Sequence, residues 1–125
     1  GAVRILGPRT MAKDTLYLHK PYFEKDGAQR FCPDCAMMEG YLAAYPALRE
    51  TLEIVYVDYA RPRAALVERL GEAHQNAPTL ILGEPSPDMG PHGEIQSAEG
   101  LSFLSDARPI TRWLADRHRL ASPLS

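Results

Sequence analysis

Cys32-Pro33-Asp34-Cys35 holds both cysteines of the chain. On the first turn of a helix, residues i and i+3 lie close enough for two sulfurs to bridge. A helix N-terminus also favours the thiolate, the reactive form of a thiol. One short segment can thus supply a nucleophile, a second thiol to resolve its adduct, and the field that activates the first. Three readings compete for the pair: redox chemistry, a metal site, and a buried inert pair. Zinc would need two more ligands beside the CxxC. The candidates His19, His74, His92 and His118 are not clustered, so no metal is expected.

The bulk numbers narrow the setting. A chain of 125 residues is one domain large enough for a real core. Its 45% apolar and 24% charged residues are those of an ordinary globular protein. A net charge of -2 argues against a general affinity for nucleic acid or an anionic membrane. Arg61-Pro62-Arg63 and Asp116-Arg117-His118-Arg119 read as solvated helix faces. No segment approaches the ~20 apolar residues of a membrane span, and no signal peptide is visible. A cytoplasmic setting is expected. There a close cysteine pair is more often catalytic or metal-binding than a structural staple. Gly1 to Thr10 lack periodicity and precede a natural-looking start at Met11. They are set aside as an added or untied tail, leaving a single domain over 11–125.

The elements that must position the cysteines follow from pattern. Thr15 to Lys20 is β-prone and stopped by Pro21. Pro21 to Arg30 reads as loop, with an Asp26-Gly27 turn signal. Pro33 suits the first helical position, and Cys35, Met38, Leu42 and Tyr45 form a helical stripe. Pro46 ends this helix or begins a short second piece. Ile54 to Tyr59 reads as a strand covered on both faces. Pro62 opens a helix carrying Ala65, Leu66, Arg69 and Leu70, with Gly71 as its stop.

Thr79 to Leu82 is a buried strand behind Ala77-Pro78, and Gly83 to Gly93 is a long loop. A fourth strand is expected around Leu101 to Leu104. A last helix runs from about Asp106 to Arg119, capped by Ser105 or Asp106. Tyr17, Tyr56 and Trp113 are expected in the core. The order β-α-β-α-β-β-α predicts an α/β fold, with a mixed four-stranded sheet and helices on both faces. Its first two long-range strands are parallel, and the last two are a hairpin.

A strand, then Cys-Pro-x-Cys opening a helix, then a proline before Thr79-Leu80-Ile81-Leu82, resembles the thioredoxin fold. Cys32-Pro33-Asp34-Cys35 resembles the glutaredoxin motif. Ala77-Pro78-Thr79-Leu80-Ile81-Leu82, followed by Ser105-Asp106 and Ile110 to Arg117, is similar to the N-terminal domain of glutathione transferases. The chain as a whole resembles an uncharacterised bacterial family of thioredoxin-like proteins. The resemblance implies a nucleophile at Cys32, a resolving cysteine at Cys35 and a cis-proline at Pro78. It implies that Ala77 holds a substrate through its backbone, and that Ser105 and Asp106 mark a helix start that holds the γ-glutamyl end of glutathione.

Four departures reshape that expectation: the long connection from Lys20 to Cys32, Phe31 in place of tryptophan, Asp34 between the thiols, and the loop over 83–93 beside the groove. A carboxylate at Asp34 stabilises the helix start and opposes a thiolate beside it. Tyr22 and Phe23 are candidates for an apolar rim, and Arg30 for a cation beside the motif.

The expected activity is thiol–disulfide exchange of the glutaredoxin type. Its partner would be a disulfide-containing protein or a small thiol. Glutathione would be a co-substrate, with no cofactor tightly bound. Nothing in the residues specifies an oligomer. One rival is a noncatalytic thioredoxin-like module that holds glutathione or a peptide in the Pro78 groove. The other is a metal-binding redox sensor.

Overall fold

The computed structural model describes residues 12–84 and 94–124. The tail over 1–10 and most of the loop expected over 83–93 lie outside them. Asp14–His19 forms β1, and every residue after Asp14 is buried, so this strand is covered on both faces. Within the span expected as loop, Phe23–Lys25 (β2) and Ala28–Arg30 (β3) pair antiparallel. Asp26 and Gly27 take φ of 55 and 78, the paired left-handed turn that closes a two-residue hairpin. The strands are short and polar, so only their turn was visible in the sequence.

Pro33–Ala44 (α1) buries the stripe of Cys35, Met38 and Leu42. Tyr45 then leaves helical geometry ahead of Pro46, and a short α2 follows at Leu48–Thr51. Leu52–Val57 (β4) lies at the sheet edge. This corrects the expectation of a strand covered on both faces: Ile54 and Val55 are half-buried, and Tyr56 is 40% exposed.

The next helix, α3 (Ala64–Leu70), begins after Pro62 rather than at it. The Arg61–Pro62 bond is cis, and Gly71 ends the helix with φ 87, as expected. Arg63 is another correction. It is buried, with its guanidinium donating to the carbonyls of Asp58, Tyr59 and Gln75. It ties the loop after β4 together instead of facing solvent.

Thr79–Ile81 (β5) and Leu101–Ser105 (β7) are antiparallel neighbours, as expected. Gln96–Ala98 (β6) was not expected and adds an edge strand beside β7. Its sequence lacks a β-branched or aromatic signal. It is set by the turn at Glu99 and Gly100, with φ of 53 and 76. The architecture is α/β, with a mixed sheet of five strands in the order β4-β1-β5-β7-β6 rather than four. β1 and β4 are parallel, as expected.

Ala107–His118 (α4) packs on β5, β7 and α1. Its expected cap is corrected. Asp106, at φ 76, makes no side-chain cap bond, because its Oδ1 instead accepts from Asn76 Nδ2 at 3.1 Å.

Candidate functional site

The sheet register gathers the site at one end. Tyr17 of β1 sits across from Thr79, the first residue of β5. Thr79 in turn sits across from Ser105, the last residue of β7. The end of β1, the start of β5 and the end of β7 therefore meet, and α1 begins over the same end. The segments just beyond strand ends are where open α/β sheets hold ligands.

Cys32 is the N-cap of α1, with Pro33 in the first turn and extended backbone at φ -86, ψ 115. Its Sγ accepts the Cys35 N–H at 3.2 Å, so a backbone dipole points at the sulfur. The Cys32 thiol in turn points at the Ala77 carbonyl oxygen, 4.0 Å away. Both thiols are free; Cys32 is partly exposed, and Cys35 keeps only 4% of its surface accessible. The His19 amide donates to Cys35 Sγ at 3.3 Å.

Burial pushes the Cys35 thiol up to about 12. The His19 amide opposes this, while the hydrogen bond and charge of Cys32 and the charge of Asp34 add to the rise. The two sulfurs are therefore chemically unlike: one is partly exposed and served by an amide, the other is buried and held as thiol.

Ala77 and Pro78 lie beside the pair, and their peptide bond is cis. Ser105 and Asp106 lie at the same end but are bonded within the protein. Ser105 Oγ is 2.9 Å from Thr79 Oγ1. The Asp106 amide donates to the Pro78 carbonyl at 3.0 Å. The Ala107 amide, the first of α4, donates to Asp34 Oδ2 at 3.0 Å. Asp34 thus caps the last helix from the first turn of α1.

A cavity of about 460 Å³ opens on the other side of the cysteines, between α1 and the β2–β3 hairpin. Cys32 and Cys35 line it together with His19, Tyr22, Arg30 and Phe31. Tyr22 and Phe31 are 70% and 61% exposed, an apolar rim around the thiols. Phe23 does not join this rim: it stacks on Tyr59 at 4.4 Å.

Sequence reasoning considered His19 only as a metal ligand, and missed its place beside Cys35. His19 is buried, its ring rests on Phe23 and Tyr59, and its Nδ1 finds no hydrogen-bond partner among the described residues. Burial, then the charges of Arg63 and Arg61, pull its pKa below the ordinary histidine value, so the ring is neutral near pH 7. The available signal was its position at the end of a buried strand, two residues before Pro21. Arg63 was missed too. It is a buried cation close enough to feel the charge of either cysteine. Among the described residues, no group of three His, Cys, Asp or Glu side chains converges as metal ligands would. None of the described helices is long and apolar enough to cross a membrane.

A family model described as "Protein of unknown function (DUF3088)" matches residues 13–122. That is most of the chain, and the chain belongs to this family. No curated protein and no solved structure matches it.

Proposed function

We propose that this chain is a thiol–disulfide oxidoreductase built on a thioredoxin-like fold, with Cys32 as nucleophile and Cys35 as resolving thiol. The observation that carries the reading is the asymmetry of the pair. Cys32 is partly exposed at a helix start with an amide on its sulfur, and Cys35 lies buried three residues on. The element order supports the fold assignment: β1, α1, β4, α3, β5, β7 and α4 follow the β-α-β-α-β-β-α sequence, with α2, β6 and the β2–β3 hairpin as additions.

In the first step the Cys32 thiolate attacks one sulfur of a substrate disulfide. A Cys32–substrate disulfide forms, the substrate S–S bond breaks, and the departing thiolate takes up a proton. Cys35 then attacks Cys32 Sγ. The Cys32–Cys35 bond forms, the second substrate thiol leaves with the proton that Cys35 gives up, and the protein has lost two electrons to the substrate. A small thiol such as glutathione, or a dithiol reductase, returns the pair to its reduced form. A cytoplasmic setting suits this cycle, because thiols there are kept reduced.

Turnover of bis(2-hydroxyethyl) disulfide in the presence of a thiol reductant tests the reading. Cys32→Ser is expected to abolish turnover, whereas Cys35→Ser accumulates a mixed disulfide at Cys32. Exchange that survives Cys32→Ser would overturn the mechanism. A wild-type protein that neither turns over nor forms an adduct would favour a noncatalytic binding module.

A further inference from the structure

The polar groups that the sequence resemblance gives to a substrate at the start of α4 are already in use. Ser105 is bonded to Thr79, the Asp106 amide to Pro78, and the first amide of α4 to the Asp34 carboxylate. An incoming carboxylate at α4 would have to displace Asp34, a tethered anion already seated there.

The hairpin-side cavity is the reverse. Its volume of about 460 Å³ falls within the range of small-molecule sites. Its rim is apolar, through Tyr22 and Phe31. Of the charges that line it, Lys20 is held by Asp58 at 2.6 Å, and Glu39 is held by Arg49 at 2.9 Å and by the Tyr56 hydroxyl at 2.8 Å. Arg30 is different. Its Nε reaches only the Lys25 carbonyl, at 3.4 Å, and it has no carboxylate partner among the described residues. Deeper in, the buried His19 lines the cavity.

Resting on the function proposed above, we propose that this cavity, and not the start of α4, seats the disulfide that Cys32 attacks. Its substrate is then a small disulfide with an apolar or aromatic group beside the sulfur and a carboxylate for Arg30. Phe31 and Tyr22 cover the apolar group, and Arg30 pairs with the carboxylate. When Cys32 Sγ bonds to the sulfur in the cavity, the substrate S–S bond breaks and the outer thiolate leaves with the electron pair and takes a proton from solvent.

The test is the rate of the first step with two probes. 5,5′-Dithiobis(2-nitrobenzoate) is aromatic and carries carboxylates; bis(2-hydroxyethyl) disulfide is small and neutral. Comparing each variant with wild type on the same probe cancels the probes' different intrinsic reactivities. Arg30→Gln is expected to slow the aromatic carboxylate by about fivefold more than the neutral probe, the worth of one solvent-accessible ion pair. Phe31→Ala is expected to slow the aromatic probe several-fold more than the neutral one.

Equal slowing of both probes in both variants, while Cys32 still reacts, would overturn the cavity assignment and leave the oxidoreductase reading intact. So would reaction with a protein disulfide but with neither probe. Reaction of both probes that is unaffected by Cys32→Ser would overturn the oxidoreductase reading itself, and the cavity proposal with it.

Discussion

A thiol attacks as its thiolate, so the environment of each sulfur decides when it acts. Cys32 sits where a substrate can reach it, with the Cys35 amide on its sulfur. Cys35 is buried, and burial pushes its thiol up to about 12. Once Cys32 is capped by substrate, its charge no longer opposes Cys35, but burial, the largest cause, remains. The fraction of Cys35 present as thiolate then rises about tenfold per pH unit below its pKa, and ring closure should rise with it. Stopped-flow resolution of a preformed Cys32 adduct is therefore expected to accelerate steadily from pH 6 through pH 9. A plateau near neutrality would show that Cys35 is not held as thiol. The residue scale is also where the sequence was most informative: the Cys-Pro-x-Cys spacing and Pro33 together marked the helix start and put both thiols on its first turn. His19 escaped it because nothing local marks a histidine whose partner is a sulfur sixteen residues away.

Between elements, Asp34 is the joint. It lies in the first turn of α1, where a carboxylate favours the helix, and its Oδ2 accepts the first amide of α4 at 3.0 Å. Asp34→Ala removes both contributions and leaves that amide without its partner. The expected cost is about 1–2 kcal/mol, read as a lower urea midpoint with an unchanged slope. The same change frees the start of α4 for an incoming carboxylate, so glutathione disulfide is expected to react faster with the variant than with wild type. A stability equal to wild type would mean the joint contributes nothing. This joint was not legible in the sequence, since it links residues seventy-three apart. The expected cap at Ser105 or Asp106 reflected local chemistry, and tertiary bonds to Thr79 and Asn76 overrode it. The two hairpins tell the same story in reverse. β2, β3 and β6 carry no β pattern, yet the Asp26-Gly27 and Glu99-Gly100 turns have the left-handed backbone that pairs them.

At the scale of the molecule, the long apolar strands were legible, and with them the parallel β1–β4 pair and the antiparallel β5–β7 pair, though β6 lies between the last two in the chain. What they could not reveal was which strand lies at an edge. A run such as Leu52–Val57 reads as doubly covered, but no strand among the described residues pairs with its outer side, and Tyr56 stays exposed. The fold brings three strand ends, the start of α1 and the hairpin to one end of the sheet, with both cysteines between the start of α4, whose first amide Asp34 occupies, and an open cavity. The central claim is that the two thiols form one reversible two-electron couple. Intact mass measured after equilibration in thiol–disulfide buffers of graded potential tests it most directly. A single transition is expected, reversed by added reductant, in which the wild-type mass falls by two hydrogens and neither Cys32→Ser nor Cys35→Ser shows that loss. A wild-type protein that keeps its full reduced mass at every potential, or that only accumulates separate adducts on each cysteine, would contradict it.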